Sequence, residues 1–587
     1  MASSGARSGR LPGGNWLLRE RPWIFAFLAL LTFCRIPTID GWDEAFYVGQ
    51  LTSLVGDGDL KLQDDVVRVP RRFEEEYRIL TTVDGTGALV NTFGVGPALL
   101  LAPFTFAAIG ASTPPPWTSF RCGAALGAML ALILIALLVT AAARGLGVSA
   151  SVAFMATSLA MVGGPLAVYG TRSYLNAHLW SALLVALCLH QALAWLHGGK
   201  HLNALGIGLS AGLVCVTRWQ DAVLVVPLVL TVLVVARPAS RTLTGIGLMA
   251  GSMALAVSIQ LLAWQIQFGT PLLVPQGAGY MRWLAPRIVP LLLSSYHGLV
   301  PWAPGLALGL LGLLLGLGPG VPRPPRALVC AMAVGTACAL YVSACPVDWW
   351  GRESFGPRRL ASLTPFAAVG LGFVLERLPQ RTRLLLFALL GLWATVTVSA
   401  FFSGWDDLSV LLLGRTDPFN PNGIESYAGA AWINRWGALH FLKPAFSLSD
   451  APQPGDRLLG ILVALGVTLV GRGLWRLLST RVAAQRAVAA LAVAYLIGWN
   501  VLLLKAPSNR QWNADWKRFL QAPLEPASTS RMPPGMAQAC AVVVAPAAAS
   551  RGERAVLAGA ISVLRNGGMA ASEAAALRAA REYERPR

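Results

Sequence analysis

Charge is what this sequence most lacks. Only 13% of its 587 residues are Asp, Glu, Lys or Arg, against 55% hydrophobic, and the mean hydropathy is +0.58. A soluble domain carries about 25% charged residues, so the deficit excludes an ordinary soluble protein. Acid is scarcer than base, with 28 Asp and Glu against 47 Lys and Arg, for a net charge of +19. The arginines sit mostly in short stretches between apolar runs, where they set membrane topology rather than bind nucleic acid. Cysteine is sparse: eight residues, with no CxxC and no Cys/His metal spacing, so neither a disulfide framework nor a zinc site is expected. There is no Walker motif, no dinucleotide fingerprint and no G-x-S-x-G nucleophile with spaced partners. The period-two alternation of a membrane barrel is also missing.

Long apolar runs are abundant. About 20 apolar residues cross a hydrocarbon core as helix, and a helix satisfies its own backbone there. The sequence predicts an all-α polytopic membrane protein with thirteen spans, at 23–38, 119–143, 149–169, 177–196, 202–217, 221–237, 243–266, 298–318, 327–345, 359–376, 383–403, 456–477 and 484–505. The stretch 91–112 is interrupted by Gly94, Gly96, Pro97, Pro103 and Gly110 and is read as a juxtamembrane or re-entrant helix. With 91–112 left out of the count, Arg144, Lys200, Arg237, Arg241, Arg323, Arg326, Arg377, Arg381 and Arg383 all fall on the side of the basic N-terminus. The positive-inside rule then makes that side cytoplasmic.

The chain divides into a cytoplasmic N-terminus (1–22), a transmembrane module (23–403) with a first outer loop (39–118), an outer loop (404–455), a C-terminal hairpin (456–505) and an outer tail (506–587). Gly-rich runs such as 305–320 read as close helix packing.

Polar residues gather in the outer loops. Asp43 and Glu44 follow the first span and open a short amphipathic helix over 44–56, with Val48, Leu51 and Val55 on one face, lying at the interface. Crowded carboxylates can bind a hard cation or share a proton; an acidic helix start also complements the helix dipole. The second outer loop reads Arg172-Ser-Tyr-Leu-Asn176-Ala-His178. His178 can exchange protons or cap a helix end. Arg218 and Asp221 are three residues apart and either pair together or present Arg218 to a phosphate. His297 lies among aromatics before a span. The segment from Trp349 and Trp350 through Arg352, Glu353, Ser354, Gly356 and Pro357 to Arg358 and Arg359 combines guanidinium groups with aromatic faces. That suits a phosphate and a sugar, or an aromatic belt with snorkelling arginines.

The first span, the Asp43-Glu44 pair, Tyr47 and Gly58-Asp59 together resemble the GT-C class of membrane glycosyltransferases, especially protein O-mannosyltransferases and lipid A aminoarabinose transferase. The resemblance covers roughly residues 20–400, mostly as topology. It implies a sugar donor carried on a polyprenyl phosphate, a protein, glycan or lipid acceptor, and an extracytoplasmic site in a bacterial-type inner membrane. It implies that Asp43, with Glu44 beside it, acts as base or as ligand to a divalent cation (Mg or Mn). His178 would join it in catalysis, while Arg172, Arg218, His297, Trp350, Arg352 and Arg358 would bind substrate or lipid phosphate. The second loop departs from that pattern because it holds no carboxylate. Two other classes stay open: a transporter or lipid flippase, and a non-catalytic subunit on the same scaffold.

Overall fold

A computed structural model describes residues 42–56, 58–60, 67–71, 75–79, 93–110, 116–235, 239–272, 279–318, 325–351, 354–402 and 481–505, with a few isolated positions between them. Among these residues seven helices are long and apolar enough to cross a membrane: Cys122–Gly145, Ala177–Leu196, Leu243–Phe268, Pro325–Ala344, Arg358–Arg377, Gln380–Val398 and Val482–Leu504. Five shorter apolar helices accompany them: Gly96–Ala108, Ala150–Val162, His201–Thr217, Trp219–Val235 and Pro304–Gly316. The expected spans at 149–169 and 298–318 are not single helices. The first breaks at Gly163-Gly164-Pro165, where Gly163 ends one helix and Leu166–Thr171 starts another. The second breaks at Ala303, with Pro304 opening the new helix. Span 23–38 lies outside the described residues, and 456–477 is described only in part.

The fold is helical with one addition that the sequence reading did not contain. Val67–Arg71 pairs antiparallel with Glu75–Ile79, placing Val69 opposite Tyr77. The predicted interfacial helix runs Trp42–Gly56, and it is not amphipathic at a surface. Gln50, Thr52 and Ser53 are buried as fully as Val48, Leu51 and Leu54. The reason is an amide belt. Gln50 Nε2 donates to the Phe93 carbonyl at 3.1 Å, and Asn91 Nδ2 donates to that of Phe46 at 2.7 Å. The backbone N–H groups of Asn91 and Val95 donate to Gln267 Oε1 and Gln260 Oε1 on the Leu243–Phe268 helix. These bonds satisfy an irregular backbone that water cannot reach.

Elsewhere small residues let helices touch. A Cβ on Gly309 would run into the Ala367 carbonyl, and one on Gly370 into that of Gly309, so Pro304–Gly316 and Thr364–Arg377 meet backbone to backbone. Gly208 and Gly212 do the same for His201–Thr217 against the helix carrying Met249 and Ala256. Such contacts fix which helix ends lie side by side.

Candidate functional site

One end of the bundle gathers the polar side chains. It holds the N-terminal ends of Trp42–Gly56, Ala177–Leu196 and the Arg358–Arg377 segment, and the C-terminal ends of His201–Thr217 and Pro325–Ala344. Asp43, in the first turn of its helix, meets Arg358 with Oδ2 2.7 Å from Nη1. Their side chains keep 28% and 15% of their exposure, so the pair is sheltered but reachable. Glu44 is buried beside it.

A second pair lies deeper. Arg218 Nη1 is 3.4 Å from Asp221 Oδ2, with side-chain exposures of 9% and 7%. The same carboxylate oxygen accepts Ser181 Oγ and Ser362 Oγ, each at 2.6 Å. Arg218 Nη1 also lies 3.0 Å from His178 Nδ1. A guanidinium has donors only, so the nitrogen facing it must offer its lone pair. His178 is therefore a neutral imidazole with its proton on the other ring nitrogen. Its ring rests on Tyr169, centroids 4.6 Å apart. At Nδ1 the lone pair of His178 is taken by Arg218, which leaves Nε2 as the ring nitrogen open to other contacts.

A third pair joins Arg359 Nη2 to Asp348 Oδ1 at 2.6 Å, and the same nitrogen donates to Tyr280 Oη at 2.8 Å and to the Asp348 carbonyl at 3.1 Å. Burial raises the Tyr280 phenol above its ordinary pKa, with Arg359 opposing the shift. Burial likewise raises Tyr47, and the Asp43 charge adds to it. Both phenols stay neutral near pH 7.

The Arg358 loop is shaped by two left-handed glycines. Gly351 has φ +79° and Gly356 φ +46°. A Cβ on Gly351 would sit 2.8 Å from Arg358 Nε, and one on Gly356 would sit 3.0 Å from Trp302 Cβ. Only glycine accepts both the backbone angle and the approach. Under this loop lies His297, the one non-glycine residue with positive φ, +97°, among the described residues. Its Nδ1 is 3.2 Å from the Gly356 carbonyl and 3.3 Å from Ser354 Oγ. Ser295, two residues earlier, donates through N and Oγ to Asp417 Oδ2, both at 2.7 Å. His297 thus supports the Arg358 loop from beneath.

The expected site residues fall into three sets. Asp43, Arg358, Arg218 and His178 converge at one end of the bundle, and Arg218 with Asp221 proves to be both an ion pair and a site contact. Trp350 is half-buried, edge-on to Trp349 at 6.1 Å, and Arg172 is buried where Leu166–Thr171 ends. Arg352 and Glu353 lie outside the described residues. Asp348, Tyr280, Ser181 and Ser362 were not singled out from sequence, since each is an isolated polar residue in a short loop or apolar run. Among the described residues no three His, Cys, Asp or Glu side chains group to hold a metal ion. Comparison of the chain with protein-family models and with curated proteins gives no match to either.

Proposed function

We propose that this membrane protein is a GT-C-type inverting glycosyltransferase, which moves a sugar from a polyprenyl-phosphate donor to an acceptor hydroxyl on a protein, glycan or lipid. The observation that carries this reading is the 2.7 Å contact of Asp43 with Arg358, two residues far apart in sequence at the mouth of a buried polar cluster. Asp43 accepts the proton of the acceptor O–H. The acceptor oxygen bonds to the anomeric carbon as the carbon–oxygen bond to phosphate breaks, and the electron pair leaves on the phosphate. Arg358 neutralises the charge that the phosphate gains. Asp43 is assigned the proton rather than Mg or Mn, because its Oδ2 faces a guanidinium that a divalent cation would repel.

The opposite end of the bundle carries Arg144, Lys200, Arg377, Arg381 and Arg383. That asymmetry supports an extracytoplasmic site by the positive-inside rule. The polar groups lie at helix ends rather than at mid-span, which favours an enzyme of lipid-borne substrates over a transporter. The test incubates the purified protein in lipid vesicles with a panel of polyprenyl-phosphate sugars and hydroxyl acceptors. Consumption of one donor by the wild type, lost in Asp43→Asn with expression and folding intact, is expected. No turnover of any donor, or full turnover by Asp43→Asn, refutes the assignment.

A further inference from the structure

Three guanidinium groups at this end of the bundle are each matched to a carboxylate, and the three pairs are not equally held. The Asp221 oxygen that faces Arg218 also accepts two hydroxyls at 2.6 Å, and this pair has the lowest side-chain exposure, 9% and 7%. Arg359 is fixed by Asp348, by Tyr280 Oη and by a backbone carbonyl. Among the described residues no side-chain hydrogen bond ties Asp43 or Arg358 down beyond their mutual contact, and the pair is the most exposed of the three. At each of these three pairs an anion meets a guanidinium that already has a counter-charge. It gains one only by exchange, and the exchange costs least where a single contact holds and water already reaches.

Resting on the reading above, we infer that the Asp43–Arg358 ion pair is a latch: a phosphate anion takes Arg358, and only then is the Asp43 carboxylate released to accept a proton. In the resting protein the guanidinium occupies the oxygen that must face the acceptor, 2.7 Å away. Phosphate offers several oxygens to the fork of Arg358 and so competes well with one carboxylate oxygen. The latch imposes an order in which the phosphate-bearing substrate binds first and the acceptor second. It also keeps the base idle while the site is empty. Arg218 and Arg359 remain in place throughout, since their partners are locked.

The test is direct binding to purified full-length protein in lipid nanodiscs. The probe is geranylgeranyl phosphate, with geranylgeraniol as the uncharged control and inorganic phosphate as a second arm. Asp43→Asn keeps the shape of the side chain and removes the competing charge. It should bind geranylgeranyl phosphate about five- to tenfold more tightly than wild type, corresponding to about 1–1.4 kcal/mol. Asp348→Asn, whose arginine has other partners, should give no such gain. Arg358→Gln should weaken binding, and adding Asp43→Asn to it should restore nothing. Tightening for inorganic phosphate as well as for the lipid, or for the lipid alone, supports the latch in either case. Unchanged or weaker binding by Asp43→Asn overturns it, as does binding that is equal for geranylgeraniol or absent in both proteins. These outcomes are read without turnover. A latch that fails while Asp43→Asn still abolishes transfer leaves the glycosyltransferase reading standing.

Discussion

Loss of the Asp221 carboxylate should harm this protein more than loss of any other described acidic group. At 3.4 Å, and with the effective dielectric of about 20 that suits sheltered sites, the attraction between Arg218 and Asp221 is about 5 kcal/mol before desolvation. Desolvation of both groups cancels most of that, so the intact pair adds little net stability. Asp221→Ala is different, because it strands Arg218 at 9% exposure and leaves Ser181 and Ser362 without their acceptor. A stranded buried charge costs about 3–5 kcal/mol, and each orphaned hydroxyl about 1 kcal/mol more. Asp221→Asn retains an acceptor for the serines and should lose about 3 kcal/mol, all of it from charge. Arg218→Leu combined with Asp221→Asn should recover part of the loss, since no uncompensated charge remains. The assay is thermal denaturation in detergent followed by size-exclusion recovery, across the two single variants and the double. Equal midpoints for wild type and Asp221→Asn, or a double variant no more stable than Asp221→Asn, would refute the charge argument.

Gly351→Ala should sharply reduce sugar transfer, because the new methyl would displace Arg358 Nε from 2.8 Å while the residue is held at φ +79°. Gly198→Ala, at φ +90° in open space, should cost only backbone strain, about 1 kcal/mol, and leave transfer intact. The phenols of Tyr47 and Tyr280 titrate above their ordinary value when folded. Below about pH 10 both are protonated in the folded and unfolded chains, so they add no pH dependence there. Above it the unfolded chain releases its protons first, and the melting temperature should fall; Tyr47→Phe should flatten that alkaline limb. In a cysteine-free background, Leu284→Cys should react with an impermeant thiol reagent added outside intact cells, and Arg381→Cys only after permeabilisation. The reverse pattern would invert the proposed topology.

Most of the helical plan was legible in the sequence because apolar length is a coarse signal that packing cannot alter. The breaks at Gly163-Gly164-Pro165 and at Ala303-Pro304 were less so. Proline and glycine are tolerated within spans, and hydropathy alone runs straight through them. The helix beginning at Trp42 was legible, but its burial was not. Its polar residues Gln50 and Ser53 are buried because Phe93 and Asp59 supply their partners, and the sequence does not bring Phe93 to Gln50. Asp43 and Arg358 could be named from charge and resemblance. Asp348 and Tyr280 could not, since what marks them is a shared guanidinium that only the fold brings to them. The contact of His178 with Arg218 was not legible for the same reason. From sequence, His178 could exchange protons or cap a helix end; facing Arg218, it is a neutral, oriented ring.

The supports of Asp43 and Arg358 are independent of each other. The Asp43 helix is fixed through the 91–95 segment and glutamine side chains of the Leu243–Phe268 helix. The Arg358 loop is fixed through His297, Trp302 and two left-handed glycines. Each support sets one end of the ion pair, and Gly351 packs directly against the Arg358 side chain. A separation of 2.7 Å between groups so mounted is a property of how the bundle packs, and small movements at either mount open or close it. His297 pays part of that cost in a positive φ, at about 1–3 kcal/mol for a residue that is not glycine. Strain of that size persists where neighbouring contacts over-determine the backbone, and the bonds from Ser295 to Asp417 and from Trp302 Nε1 to the Ser295 carbonyl do so here. The loop is held stiffly, so that the contact of Arg358 with Asp43 is the one left soft among the described ion pairs of this end.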